Sequence, residues 1–371
     1  MLTSLYIHIP FCKHICTYCD FHKEVATLEK KKAYLNALIE EILEVKESIR
    51  NIKTIYIGGG TPSNYSIKDL TRLFQTLSSV IETNNDLEYT IEVNPDDITK
   101  EYAELFKKYG INRVSMGVQT INKENLSYLR RTHNEDDIKN AISYLKEAGI
   151  SNISIDMIFN IPNQTMKQLD EDIAFVLNQD IKHISYYSLI LEEKSILYQQ
   201  VLQNKITIKD QDVEGDMYVK VIDALTNNGY NHYEISNFST QGFESEHNKT
   251  YWTNKDYLGL GSGAHSLIGN KRFNNVSNVR RYIEGVTTKT PYKEEYDRFE
   301  LEDEVMMGLR LLSGISIEDI NMKYKIDLFK TYPLLNEYVK QDYLKIEHGK
   351  LKFTTKGLLV GNIVFMAVME G

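Results

Sequence analysis

Three cysteines stand close together near the start of the chain. They are Cys12, Cys16 and Cys19, and they are the only cysteines among its 371 residues. Thiolates are soft ligands that suit iron–sulfur clusters. Three of them can bind three irons of a [4Fe-4S] cluster and leave the fourth iron without a protein ligand. An iron with an open position is a reaction site, so the Cys-x3-Cys-x2-Cys spacing predicts metal chemistry.

Zinc is the main alternative for this segment. Zinc prefers four tetrahedral ligands, and His14 or His22 could complete a Cys3His site. Zinc sites usually pair two short Cys/His segments far apart in sequence, and here there is only one. An odd cysteine count also argues against a disulfide framework. We therefore favour the cluster. The amino and carboxylate groups of an amino acid can chelate the open iron, and S-adenosylmethionine supplies both.

A second group of candidate residues follows the ends of predicted strands. The run Gly58-Gly59-Gly60-Thr61-Pro62 lacks the Gly-Lys-Ser/Thr ending of a phosphate-binding loop, which argues against nucleotide triphosphate hydrolysis. Its glycines would let the backbone approach a ligand closely. Residues at the next three strand ends suit a carboxylate, ribose hydroxyls or an ammonium: Glu92, Gln119, Arg131 and Asp156. Each could be a solvated rim residue, but their shared position favours ligand binding.

The only tryptophan lies in the segment His247-Asn248-Lys249-Thr250-Tyr251-Trp252. A histidine among large aromatic side chains could ligate a haem iron. The alternative is a histidine that is hydrogen-bonded within a loop closing the barrel, and the residues by themselves favour this alternative.

Composition limits the class of protein. Hydrophobic residues make up 42% and charged residues 26%, an ordinary balance for a globular chain. The net charge of −9 argues against a general nucleic-acid partner, which would need a positive surface. No apolar run is long enough for a membrane span, and residues 1–9 lack a signal-like pattern. We therefore expect a cytoplasmic protein.

Apolar runs alternate with segments of helical period. Prolines follow four of the runs, where they mark strand ends. The predicted strands are Leu5–Ile9, Thr54–Ile57, Thr90–Val93, Arg113–Gly117, Ile155–Ile161 and His183–Leu191. The predicted helices cover residues 30–48, 67–82, 100–109, 134–148, 166–178 and 210–228. Six β-then-α units predict an α/β fold, a partial (β/α)6 TIM-like barrel.

The pattern changes after Asn237, where clear strand signals fade. From Tyr292 onward we predict helices over residues 298–312, 316–324 and 328–341, then a hairpin over Leu344–Phe353. This arrangement predicts a C-terminal, mostly helical, winged-helix-like domain. The predicted divisions are residues 1–235 for the partial barrel, 236–290 for a barrel-closing segment with the His247 motif, and 291–371 for the C-terminal domain. The predicted helices of that domain are not markedly basic, so a packing role is favoured over DNA binding.

At this point the motifs resemble a known family. Tyr6 through Cys19 resembles the radical S-adenosylmethionine superfamily. The glycine run, Glu92–Pro95, Ser115–Gln119, Arg131–His133 and the segment 156–165 resemble oxygen-independent coproporphyrinogen III oxidases. Enzymes of that family that act as dehydrogenases carry a further cysteine two residues after the third cluster ligand, and here that position is Phe21. The His247 motif instead resembles the branch of HemW-type haem chaperones.

The resemblance implies a [4Fe-4S] cluster on the three cysteines, bound S-adenosylmethionine, and haem delivered to an acceptor protein, for which a membrane-associated protein is a candidate. It implies a reducing electron donor such as flavodoxin or ferredoxin. Family positions that line S-adenosylmethionine fall on Tyr6, Gly59, Gly60, Thr61, Glu92, Gln119, Arg131 and Asp156, and the haem ligand falls on His247. Coproporphyrinogen III dehydrogenation, a radical decarboxylation of propionates, is the alternative activity. Two positions depart from the family pattern, since Arg130 and Asn160 replace common glycines.

Overall fold

A computed structural model describes residues 2–82, 86–207, 209–269, 271–298 and 300–369. Six strands form the centre of a sheet, and each is parallel to the next in chain order. Most of their residues are buried, as expected where helices cover one face and a barrel interior the other. The strands are β1 (Ser4–Ile9), β2 (Thr54–Gly59), β3 (Glu88–Val93), β4 (Arg113–Gln119), β5 (Asn152–Phe159) and β6 (His183–Ser188).

Helices connect these strands. Several begin at a polar cap: Asn134 forms a capping box with Asp137, and Thr165 forms one with Gln168. The six predicted β-then-α units are confirmed, although β6 ends earlier than predicted and the two shortest helices were not predicted. The helices are α1 (Leu28–Glu44), α2 (Ile67–Val80), α3 (Lys100–Lys108), α4 (Lys123–Leu129), α5 (Glu135–Glu147), α6 (Met166–Leu177), α7 (Ile196–Leu202) and α8 (Gln211–Asn227).

Further strands extend this sheet on both sides, so the expectation that strand signals fade after Asn237 is wrong. These strands have three to five residues and many polar side chains, which leaves no apolar run to detect. The elements are β7 (Asn231–Glu234), β8 (Asn237–Ser239), α9 (Glu246–Trp252), β9 (Tyr257–Leu260), β10 (His265–Ile268), β11 (Lys271–Asn275), α10 (Val279–Thr288) and β12 (Lys293–Tyr296).

The strand order is β12-β11-β10-β9-β1-β2-β3-β4-β5-β6-β8-β7. β9 is parallel to β1, whereas β8 is antiparallel to β6. Among the described residues, the edge strands β7 and β12 do not pair with each other, so the barrel is open. The segment predicted to close the barrel adds strands to its β1 side. The parallel strands bring their carboxyl ends to one rim, and this rim holds the candidate residues.

The C-terminal region has its own apolar core, which includes Val305, Leu309, Leu328 and Leu351. The predicted hairpin is confirmed, with left-handed backbone at His348 and Gly349 in its turn. The helix predicted over residues 328–341 is divided before Pro333, which cannot donate a backbone hydrogen bond. The elements are α11 (Glu300–Arg310), β13 (Ile315–Ser316), α12 (Ile317–Tyr324), α13 (Leu328–Thr331), α14 (Pro333–Lys340), β14 (Leu344–Glu347), β15 (Lys350–Phe353), α15 (Thr355–Leu358) and α16 (Gly361–Met369).

Across the described part of the chain, no helix combines the length and the apolar character that a membrane crossing requires.

Candidate functional site

A cavity of about 440 Å³ opens at the carboxyl ends of the parallel strands. Ligands bind at this end of parallel α/β sheets. Ten of the twelve residues predicted for the site line the cavity, and Tyr6 and His247 do not. The ten are Cys12, Cys16, Cys19, Gly59, Gly60, Thr61, Glu92, Gln119, Arg131 and Asp156.

The cysteine loop is held in place by backbone contacts. The N–H of Cys12 donates to the Glu24 carbonyl at 3.1 Å, and the N–H of Thr17 donates to the Leu129 carbonyl at 3.3 Å. All three thiols are free and half-buried, and burial raises the pKa of Cys12 to about 11. Two neighbours donate to sulfur: the Thr61 hydroxyl lies 3.6 Å from Cys12 Sγ, and Arg131 Nη1 lies 3.8 Å from Cys16 Sγ.

The arrangement of these sulfurs bears on the kind of metal group that the cysteines could hold. No three His, Cys, Asp or Glu side chains in the described ranges are grouped closely enough to bind one metal ion. A zinc site requires such grouping. A four-iron cluster takes its thiolates from separate corners of a cube, so three cysteines around one cavity fit it better.

The glycine run comes close to the cysteine loop. A Cβ on Gly60 would lie 2.8 Å from the Phe11 nitrogen and 3.0 Å from Cys12 Sγ. Gly59 has φ of +116°, and a Cβ there would lie 2.6 Å from the ring of His8. Neither position has room for a side chain. The run therefore brings bare backbone to the cavity beside the cysteines.

Two half-buried carboxylates line the cavity. Glu92 accepts hydrogen bonds from the Tyr56 hydroxyl at 2.8 Å and the Gly59 N–H at 3.0 Å. Burial raises the pKa of Glu92 to about 7, although these donors oppose the shift. Asp156 accepts from the Ser115 hydroxyl at 3.0 Å, and burial raises its pKa as well. Both groups have acceptor capacity left for a ligand hydroxyl or ammonium.

Arg131 lies between the cysteine loop and the strand ends. Its Nη2 donates to Asn94 Oδ1 at 2.9 Å and to the Gly117 carbonyl. Beside it, Gln119 has φ of +64° and a buried amide oxygen without a hydrogen-bond donor among the described residues.

The backbone conformation explains why the family has glycine at the two positions where this chain departs from its pattern. Arg130 and Asn160 have φ of +58° and +63°, in the left-handed region that favours glycine.

Tyr6 and His247 lie behind the wall of the cavity. The Tyr6 hydroxyl is 2.9 Å from His8 Nδ1. His247 is 1% exposed, its Nδ1 lies 2.8 Å from Thr54 Oγ1, and its Nε2 lies 2.8 Å from the Tyr251 hydroxyl. Burial lowers the pKa of His247 to about 3. Both ring nitrogens are engaged in hydrogen bonds, so His247 cannot ligate a haem iron in this conformation.

Several residues of the site were missed by sequence reasoning. Asn94 and Tyr56 contact Arg131 and Glu92, and Arg113 lines the cavity although it is 2% exposed. Arg113 starts its strand, where a charged residue is usually a solvated end residue, so no local signal marked it. Lys271 and Arg272 are basic residues that could pair with haem propionates, but they lie elsewhere. Lys271 pairs with Glu295 and Arg272 pairs with Asp303, each at 2.8 Å, and neither lines the cavity.

Comparison with known proteins agrees with this geometry. The model of the Radical SAM superfamily matches residues 6–176, and that of the HemN C-terminal domain matches residues 299–360. Such superfamily domains bind a [4Fe-4S] cluster and S-adenosylmethionine. The solved structure of coproporphyrinogen III oxidase from Escherichia coli superposes with a TM-score of 0.84, covering 99% of this chain and 90% of that one. The two are 23% identical, so this likeness supports the fold.

Two curated relatives are closer in sequence. The heme chaperone HemW of Lactococcus lactis is 38% identical over 98% of this chain and 96% of its own length. The heme chaperone HemW of Bacillus subtilis is 37% identical over 99% of both chains. Because these similarities span nearly the whole of each protein, the chain belongs to the HemW family of haem chaperones.

Proposed function

We propose that this protein binds a [4Fe-4S] cluster, S-adenosylmethionine and haem, and delivers the haem to an acceptor protein. The observation that carries the proposal is the cavity, which combines three cysteines with a polar interior and an apolar rim. We place the activity in the cytoplasm, where reducing conditions keep the three cysteines as thiols. A small reducing protein such as flavodoxin or ferredoxin would supply electrons, and the acceptor is identified only by its capacity to take haem.

The cluster and S-adenosylmethionine would share the upper part of the cavity. Cys12, Cys16 and Cys19 would bind three irons, and the open iron would accept the amino acid part of S-adenosylmethionine. When bound, the cluster would supply one-electron reducing chemistry at this site. Glu92 and Asp156 would receive ribose hydroxyls or the ammonium. Arg131 would hold the cysteine loop through Cys16 and Asn94.

Haem fits the rim better than the interior. Phe21 and Ile190 are each 67% exposed, and both line the cavity mouth with Leu189. Exposed apolar side chains that share one cavity mouth form a patch that a flat macrocycle would cover. Phe21 also occupies the position where the dehydrogenase branch has a cysteine. The rim therefore favours binding of a tetrapyrrole at the mouth.

The iron ligand has two candidates. Ligation by His247 stays a prediction, and it requires the hydrogen bond to Tyr251 to open and the buried ring to move to the cavity. His14 lies in the cysteine loop, is half-buried and lines the cavity, and its ring forms no hydrogen bond within the described residues. Its ligation needs no buried contact to break. We therefore propose His14 as the first ligand to test.

Haem titration of matched variants tests this function. The cluster-loaded protein is titrated anaerobically with haem, and the Soret band gives stoichiometry and affinity for wild type, His14→Ala and His247→Ala. We expect one haem per chain, with affinity at least about tenfold lower in His14→Ala and little changed in His247→Ala. The opposite ranking would return the ligand to His247. Absence of haem binding in wild type, or conversion of coproporphyrinogen III with S-adenosylmethionine, would contradict the chaperone function.

A further inference from the structure

Arg113 is a charged side chain at the floor of the cavity. It is the first residue of β4, whereas Gln119 at the rim is the last. Six residues of strand separate them, which corresponds to about 20 Å. Arg113 is 2% exposed, yet its side chain lines the same cavity as the cysteines. The cavity therefore extends through the barrel from the cysteine loop to a guanidinium.

The guanidinium of Arg113 has no hydrogen-bond acceptor among the described residues. Its Nε has no hydrogen-bond acceptor, and within the described ranges it forms no ion pair. A buried charge without a partner is strongly unfavourable, and proteins normally pair such groups. Other cationic side chains that line the cavity have partners: Arg131 donates to Asn94 and Gly117, Lys13 pairs with Asp97, and Lys23 donates to the Cys19 carbonyl. Arg113 is thus a charged donor facing open space.

The groups around Arg113 are suited to an anion with polar neighbours. Tyr187 and Asn248 line the same cavity and carry further donors. The carboxylates of Glu92 and Asp156 lie within electrostatic reach of Arg113 but form no ion pair with it in the described structure, and each accepts from other donors, Glu92 from Tyr56 and Gly59, and Asp156 from Ser115 and Ser154. Burial lowers the pKa of His247 and His183, and the positive charge of Arg113 adds to this effect. The same charge opposes the burial-driven rise in the pKa of Glu92 and Asp156.

We propose that Arg113 forms an anion-binding subsite at the barrel floor, which receives the carboxylate of a ligand that enters through the mouth. The guanidinium presents parallel N–H groups that match the two oxygens of a carboxylate. The carboxylate has two possible sources, a propionate arm of haem inserted edge-on or a separate small carboxylic acid. The subsite does not depend on haem binding, because the second source would use it as well.

The first test is stability without any ligand. Because Arg113 makes no hydrogen bond with the described residues, Arg113→Gln should leave the melting temperature within about 2 °C of wild type or raise it. The matched control is Arg272→Gln, since Arg272 pairs with Asp303 at 2.8 Å and its loss should lower the melting temperature. A fall in Arg113→Gln equal to that of the control would show a structural role and overturn the proposal.

The second test measures binding with defined probes. Sodium propionate should raise the melting temperature of wild type and Arg272→Gln above an equal concentration of sodium chloride, and it should not do so in Arg113→Gln. Arg113→Lys keeps a charge at this position and should retain part of the response. If Arg113→Gln does not fold, the comparison of wild type with Arg113→Lys still decides the outcome.

A comparison of haem with haem dimethyl ester distinguishes the two possible sources of the carboxylate. A preference for haem of about tenfold or more, lost in Arg113→Gln, identifies the propionate arm. Equal binding of both haems, together with an Arg113-dependent response to propionate, identifies a separate carboxylic acid. A response to propionate that does not depend on Arg113, or no response with an unchanged haem preference, overturns the subsite. If haem does not bind at all, the proposed chaperone function fails, while the propionate titration still tests Arg113.

Discussion

The carboxylate of Glu92 accepts a hydrogen bond from the backbone N–H of Gly59 at 3.0 Å. This bond connects the end of β3 to the glycine run after β2. A Cβ on the preceding Gly58 would lie 2.8 Å from the same carboxylate. The absence of side chains in the run is thus what allows Glu92 to reach the backbone, and the two features form one structural unit.

Two substitutions at Glu92 should distinguish its role in ligand binding from its role in stability. In Glu92→Gln the amide oxygen can accept from Gly59, and the amide nitrogen can donate to the rotated Tyr56 hydroxyl. We expect unfolding free energy at pH 8 within about 1 kcal/mol of wild type, and affinity for S-adenosylmethionine about tenfold lower. Glu92→Ala leaves both donors without an acceptor and should lose about 1–3 kcal/mol. Urea denaturation and calorimetric titration measure the two quantities. Unchanged affinity in Glu92→Gln would remove Glu92 from the binding site.

Gly60→Ala should disturb the cysteine loop. The new methyl group would press on the backbone at Phe11 and on Cys12 Sγ, and the backbone contact has little freedom to yield. We expect a loss of about 1–3 kcal/mol in unfolding free energy and a lower iron content after reconstitution. Gly215→Ala is the control, because Gly215 lies in the interior of helix α8. Its new Cβ would make only an ordinary contact of 3.8 Å with Leu359. That variant should gain about 0.5–1 kcal/mol. Equal iron content in both variants would contradict the role of Gly60.

Buried histidines should make the fold sensitive to acid. Burial lowers the pKa of four of them to about 3–4: His8, His133, His232 and His247. Between about pH 6.5 and 4 the unfolded chain binds protons that these folded side chains do not. Stability therefore falls as pH falls, by about 1.4 kcal/mol per pH unit for each histidine. Glu92 and Asp172 oppose this trend, because their pKa values are raised to about 7 and they bind protons first in the folded state.

A histidine variant isolates one part of this pH dependence. Glutamine at His232 can still donate to the Ile235 carbonyl but does not titrate, so His232→Gln should reduce the slope by about 1.4 kcal/mol per pH unit between pH 6 and 4.5. The same substitution at His348, which is exposed in the hairpin turn, is the control. Urea denaturation across this range gives the slopes. An unchanged slope in His232→Gln would show that His232 is not a neutral buried group.

Arg310 should hold the C-terminal region against the sheet. It lies over the Trp252 ring at 4.3 Å and 3.9 Å from the buried carboxylate of Glu234. Arg310→Gln leaves Glu234 without its cation, and we expect a loss of about 1–3 kcal/mol. Because Trp252 is the only tryptophan, its fluorescence should report the change directly. Arg281→Gln, at an exposed arginine, is the matched control. A spectrum of Arg310→Gln that matches the control would contradict this contact.

Much of the central sheet could be predicted because its signals are local. Apolar runs, helical periods and the prolines after strands indicated six β-then-α units in the right order. The strands after Asn237 were missed because they are short and half-exposed, and their pairing partners lie far away in sequence. β9 pairs with β1 across about 250 residues, and no local pattern encodes that contact.

The sequence by itself determined which groups are present and where the strands carry them. Three thiolates within eight residues, a glycine run and polar residues at strand ends required only spacing and strand direction. Tertiary structure alone decided how those groups are used. In the folded protein, both ring nitrogens of His247 form hydrogen bonds, one with Thr54 and one with Tyr251. The buried guanidinium of Arg113 has no hydrogen-bond acceptor among the described residues. The physical reason is that burial and hydrogen-bond partners depend on residues distant in the chain, whereas spacing and period are properties of neighbours.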